Sequence, residues 1–124
     1  MEFNNNLAIY LQIAEMICEK ILLNQLRQDE RIPSVREMAM QLKVNPNTVM
    51  RTFEFLQAKD IITNKRGVGY FVSVDGKENA TSFRKEEFLQ HELPQLFKTV
   101  ELLNIPFEEL KDLYTAQKNQ PVTR

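Results

Sequence analysis

From Leu7 to Leu26 the apolar residues Tyr10, Ile13, Ala14, Ile17, Ile21 and Leu22 recur at intervals of three and four, with Gln12, Glu15, Glu19 and Lys20 on other faces. That period predicts an amphipathic helix. Gln28-Asp29-Glu30 interrupts it, and "PSVRE" follows, with Ser34 and Glu37 at the spacing of a capping box, in which each side chain satisfies a free backbone N–H. A second, short helix starts there, with Val35, Met38, Ala39 and Leu42 as its apolar face. Asn45 and Pro46 signal a third start after only a few residues: Asn as cap, Pro at the first helical position, where no N–H is needed. This helix is expected over Pro46 to Ala58. At 100° per residue Val49, Phe53 and Leu56 share one face, while Asn47, Arg51 and Glu54 share the opposite one.

Two short helices joined by a three-residue turn form a helix-turn-helix pattern. In "IITNKRGVGYFVSV", β-branched and aromatic runs flank "KRGVG", which predicts a hairpin whose glycines supply the turn. A hairpin directly after a helix-turn-helix is a wing. The polar, aperiodic "DGKENATS" reads as a linker. Beyond it Leu89, Leu93, Leu96, Val100 and Leu103 make a heptad-like seam, widened by Phe88 and Phe97. Such a seam needs a partner surface. Pro94 predicts either a kink near Gln90 to Leu93 or two shorter helices meeting there. Asn104 can end that stretch, and Phe107, Leu110, Leu113 and Tyr114 mark a last helix. The expected organisation is mainly α: a winged helix-turn-helix of three helices and a hairpin over residues 1–74, a linker over 75–82, a two- or three-helix dimerisation region over 83–118 and a flexible tail over 119–124.

Composition adds bounds. With 124 residues, 43% apolar and 27% charged, the chain suits one water-soluble domain with an extension. The single cysteine, Cys18, allows no intrachain disulfide and no cysteine-based zinc site. "MEFNNN" lacks a basic leader, and the apolar stretch after it is broken by Glu15, Glu19 and Lys20, so neither a signal peptide nor a spanning helix is expected. A cytoplasmic location fits.

A net charge of −1 and a pI near 5.9 at first oppose a nucleic-acid partner. The charge is segregated, however. Arg31, Arg36, Lys43 and Arg51 meet only Glu37 between Arg31 and Phe53, and Lys65 and Arg66 meet no acid between Ile61 and Val74. Two basic segments survive the neutral average.

Catalysis has little to work with. Cys18 lies on the apolar face of the first helix, where a small core residue is the simpler reading. His91 has Glu87 one turn away but no second histidine to complete a metal set. Gly67 and Gly69 lie in a hairpin and not before a helix, so no phosphate loop is formed. No cofactor, metal or enzymatic activity is expected.

The third helix offers more. A recognition helix brings its N-terminal residues to base edges in the major groove, which calls for short hydrogen-bonding side chains in its first turn and a longer cation about a turn later. Asn47, Thr48 and Arg51 meet that need: Asn can pair with adenine, Arg with guanine or phosphate, Thr with phosphate or a thymine methyl. A structural reading stands beside it, since Asn45-Pro46 starts any helix, Thr48 can complete a cap, and exposed Asn and Arg are common. Lys65 and Arg66 at a hairpin tip are harder to explain by packing. Arg36, in the first turn of the second helix, adds a third basic element.

The stretch "RIPSVREMAMQLKVNPNTVMRTFEFLQAKDIITNKRGVGYFV" resembles the DNA-binding domain of the GntR family of bacterial transcription regulators, and the likeness runs from Tyr10 to Val72. It rests on the order of a first helix, "PSVRE", "NPNTV" and an "RG.G.FV" wing. The resemblance implies a winged helix-turn-helix that binds double-stranded operator DNA as a dimer. Family binding roles would fall on Ser34, Arg36, Asn47, Thr48, Arg66 and Gly67; helix geometry adds Arg51, and the wing adds Lys65. Many members carry arginine where Pro46 and Met50 stand here, which implies a base preference of this chain's own.

"NPNTV" and the short C-terminal region are similar to the YtrA-like branch, whose members commonly act as repressors near transporter operons. Dimerisation would fall on Leu89, Leu93, Leu96, Phe97, Val100, Leu103, Leu110 and Leu113. About 40 residues after the linker suffice for a helical hairpin but not for a large enclosed effector pocket; a small-molecule effector of unnamed chemistry is left open. The expectation is a sequence-specific transcriptional repressor that binds a palindromic operator as a homodimer. The alternative is a winged helix used as a protein-interaction scaffold, for which the near-neutral charge speaks.

Overall fold

The apolar face of the first helix sets the core. In the computed structural model, which describes residues 7–120, α1 (Ile9–Leu22) buries Ile13, Ala14, Ile17, Cys18 and Ile21. These pack against Val49, Phe53 and Leu56 of α3 (Pro46–Ala58), with Met38 and Ala39 of α2 (Val35–Leu42) closing the cluster. Each large side chain removed from water contributes roughly 1.5–3 kcal/mol. Helix α1 stops short of the expected Leu26 because Asn24 turns left-handed at φ 61° and the N–H groups of Gln25 and Leu26 bond back to the Lys20 carbonyl at 2.8 and 3.1 Å. Cys18 is fully buried here, and desolvation pushes its thiol pKa up to about 12. It stays a neutral core residue.

The helix starts follow the cap chemistry. Ser34 Oγ accepts from the Glu37 N–H at 3.1 Å while the Ser34 N–H donates to Glu37 Oε1 at 3.1 Å, a complete capping box. Lys43, left-handed at φ 57°, closes α2 by donating to the Ala39 carbonyl, and α3 begins three residues later. A tight turn results.

Three short antiparallel strands complete the unit: β1 (Arg31–Ile32), β2 (Ile62–Lys65) and β3 (Gly69–Val72), in the order β1-β3-β2. Thr63 faces Phe71 and Lys65 faces Gly69, while Arg31 also faces Phe71 from the other side. Strand β1 is an addition to the expected hairpin, and two residues are too few to show any period. Phe53 and Tyr70 meet edge to face at 4.8 Å, so the core of α3 and the base of the wing are one packing unit.

The expected linker is instead a helix. Residues 76–82 open α4 (Gly76–Glu87), which buries Ala80 and Phe83 on the preceding domain. Lys77 Nζ donates to Asn24 Oδ1 at 3.0 Å, Asn79 Nδ2 donates to the Asp60 carbonyl at 2.9 Å, and Arg84 pairs with Glu15 at 3.1 Å. Gly76 sits so close that a Cβ would lie 2.6 Å from the Ile61 carbonyl oxygen. The described chain divides into two compact units between Lys85 and Glu86, not at residue 74.

In the second unit a π-helical turn, Phe88–Glu92, lies between α4 and α5 (Leu93–Leu102), where the Leu93 N–H reaches back five residues to the Phe88 carbonyl. The widened turn sits just ahead of Pro94, whose missing N–H could not have continued an ordinary ladder. Asn104, at φ 54°, ends the stretch before α6 (Phe107–Lys118). Of the expected tail, Asn119 and Gln120 remain hydrogen-bonded to the Thr115 and Gln117 carbonyls. Residues 121–124 lie outside the described residues, as does the "MEFNNN" start. Among the described residues no helix is long and apolar enough to cross a membrane.

Candidate nucleic-acid interface

At the mouth of α3 the capping duties are already met. Asn45 Oδ1 accepts from the Asn47 N–H at 2.8 Å, the Asn45 carbonyl accepts from the Thr48 N–H at 2.9 Å, and Pro46 has no N–H to satisfy. The Asn47 side chain is exposed and that of Thr48 partly so, and among the described residues neither makes a hydrogen bond. Their polar atoms stand at the positive end of the α3 dipole.

Arg51 is less free than its place on the polar face suggests. Its guanidinium carbon lies 3.9 Å from the centre of the Tyr10 ring, a cation–π stack between α3 and the first turn of α1. The Thr52 hydroxyl, within 2.8 Å of the Tyr10 carbonyl and 3.1 Å of the Thr48 carbonyl, holds the same turn in place. Ala8, Ile9, Tyr10, Asn47, Thr48 and Arg51 together line an open depression.

On α2, Arg36 is exposed in the first turn. The Ser34 oxygen serves the capping box as acceptor. The Ser34 backbone N–H, joined by its hydroxyl and by the charge of Arg31, holds the Glu37 carboxyl below its ordinary pKa. Arg31 itself lies 3.9 Å from Glu37 and crosses the wing at Gly69, where a Cβ would fall 2.8 Å from Arg31 Nε. That close approach and a φ of +138° both call for glycine.

On the wing, Lys65, hard to explain by packing from the sequence, has a contact within the fold: its ammonium sits 4.3 Å over the Phe71 ring. Arg66 is exposed at the tip, and Gly67, at φ +77°, makes the turn with open space around it. Tyr10 and Arg31 were not singled out from the sequence for this face. Tyr10 reads as one more apolar position of α1, and its placement at the helix's first turn, opposite a distant arginine, is tertiary information.

The second unit differs in kind. Among its described residues no side chain is buried; Phe97 is 52% exposed, Leu103 60% and Leu113 61%, and Leu89 and Leu96 are also exposed, while Leu93, Val100 and Leu110 are only partly covered. His91 Nε2 lies 3.9 Å from Glu87, a one-turn pair of an exposed histidine and a partly covered carboxylate.

A capped α2, a tight turn, an α3 with a polar first turn and a hairpin packed on its core define a winged helix-turn-helix. The model of the family described as bacterial regulatory proteins, gntR family, matches residues 9–72, more than half the chain, and the protein belongs to this GntR family of DNA-binding transcriptional regulators. The chain is 34% identical over 109 residues to the HTH-type transcriptional regulator YhcF of Bacillus subtilis, covering 88% of each. It is 30% identical over 104 residues to the HTH-type transcriptional repressor YtrA of the same organism, covering 84% of this chain and 79% of that one. A crystal structure of a GntR-family transcriptional regulator from Bacteroides thetaiotaomicron superposes with a TM-score of 0.70 at 45% identity, covering 91% of this chain and all of the other.

Proposed function

We propose that this protein is a cytoplasmic repressor that binds a near-palindromic operator as a homodimer. In this reading Asn47 and Thr48 meet base edges, and Arg36, Arg51, Lys65 and Arg66 meet phosphates or bases. Ser34 and Gly67 let the backbone approach closely. The observation that carries it is the mouth of α3, where Asn45 and Pro46 discharge the helix-starting duties and leave two short polar side chains without a hydrogen bond among the described residues. The homodimer is supported by the exposed apolar seam around Leu96, Phe97 and Leu103 in a unit with no core of its own. Repression is supported by the likeness to YtrA.

A twofold dimer would set two recognition helices in successive major grooves, half-sites being about 10 bp apart or a small multiple of that. Titration of promoter DNA at two salt concentrations tests the reading. Affinity should fall steeply with salt as Arg36, Lys65 and Arg66 displace counterions. Asn47→Ala should relax preference at particular base pairs, and Arg66→Ala should weaken all sequences alike. A folded dimer that fails to bind at low salt would overturn the proposal in favour of the scaffold alternative.

A further inference from the structure

The cation–π stack on α1 has a consequence for how Arg51 meets DNA. We infer that Tyr10 is the positioning residue of the interface, its ring holding the Arg51 guanidinium as a phosphate clamp and not as a base reader. The inference rests on the DNA-binding reading above. A free arginine side chain samples many rotamers, and a ring face 3.9 Å from the guanidinium carbon selects among them before DNA arrives. Stacking engages one face of the guanidinium and leaves its in-plane N–H donors, the edge that grips two phosphate oxygens at once. Among the described residues no hydrogen bond or ion pair uses those donors.

The platform is itself fixed. The Tyr10 carbonyl lies 2.8 Å from the Thr52 hydroxyl, and its ring meets Phe55 edge to face at 6.1 Å. Arg51 therefore leans from α3 toward the neighbouring helix. With Asn47 and Thr48 at the base edges, a cation drawn sideways out of α3 is drawn toward the groove wall, where the phosphates run. Tyr10 would thus set affinity without touching sequence.

The test uses the full chain and a duplex that the wild-type protein selects from a random-sequence pool, with its single-base variants, titrated by fluorescence anisotropy at two salt concentrations. Arg51→Ala should weaken every duplex by a common factor, on the order of ten, and lower the salt slope by about one. Tyr10→Leu should weaken binding about two- to five-fold and Tyr10→Phe should match wild type, because only the ring is needed. In an Arg51→Ala background Tyr10→Leu should add no further loss. A change of preference at one base pair on Arg51→Ala, or an undiminished Tyr10→Leu effect in that background, overturns the inference while wild-type binding stands. A pool from which wild type enriches nothing removes the DNA-binding reading and this inference together. Should Tyr10→Leu lose its fold, Arg51→Ala alone decides, uniform loss supporting the clamp and base-specific loss overturning it.

Discussion

The two units of this chain solve opposite problems. The first packs Ile13, Ile17, Val49, Phe53, Leu56 and Ile62 into a core with almost no exposure and turns polar side chains outward. The second leaves Phe97, Leu103 and Leu113 more than half exposed. Apolar area removed from water is what stabilises a fold, so the first unit carries its own stability, whereas the second must gain its stability by covering its faces with something else. One unit has a finished core and the other presents uncovered apolar faces.

The largest expected effect separates them directly. Phe53→Ala should cost about 3–5 kcal/mol in urea unfolding, at every protein concentration. Phe97→Ala should leave that transition where it is and instead lower the mass seen by light scattering at micromolar protein. Equal shifts of the urea midpoint by the two substitutions would dissolve the contrast. Next comes the boundary. Gly76→Ala places a methyl against the Ile61 carbonyl at 2.6 Å and Val72 at 2.7 Å, and should cost about 1–3 kcal/mol by thermal melting. A true linker would tolerate it. Smaller again is Ser34→Ala, which removes the α2 cap and should cost about 1 kcal/mol in the first unit only.

The smallest effect is a pH dependence. Glu37 is more acidic folded than unfolded, so its contribution is present above the ordinary glutamate pKa of about 4.3 and is lost as pH falls through the lower folded value. The melting difference between wild type and Glu37→Gln should close below that point. A gap that widened on acidification would contradict the capping geometry.

How much the sequence disclosed depended on how local the cause was. Ser34, Glu37, Asn45 and Pro46 act within one helical turn, and their caps appear in the structure at the expected residues. Helix α4 escaped because it buries only Gly76, Ala80 and Phe83, too sparse a pattern to read as amphipathic, and Phe83 fell beyond the assumed linker. Gly76 lay inside that assumed linker, and it is there because the Ile61 backbone leaves no room for a Cβ. The same limit hid the partners of Arg51 and Lys65, each a ring supplied by another element. Charge could be counted along the chain, but where a cation is held could not.

Cys18 gives this architecture a built-in gauge. It is the chain's only thiol, and it lies at the centre of the DNA-binding unit with no exposed area. A thiol reagent can reach it only when that unit opens, so the labelling rate in the intact chain follows the opening equilibrium of one unit while the other remains silent. Without adding any probe, an experimenter can thus watch DNA slow that opening.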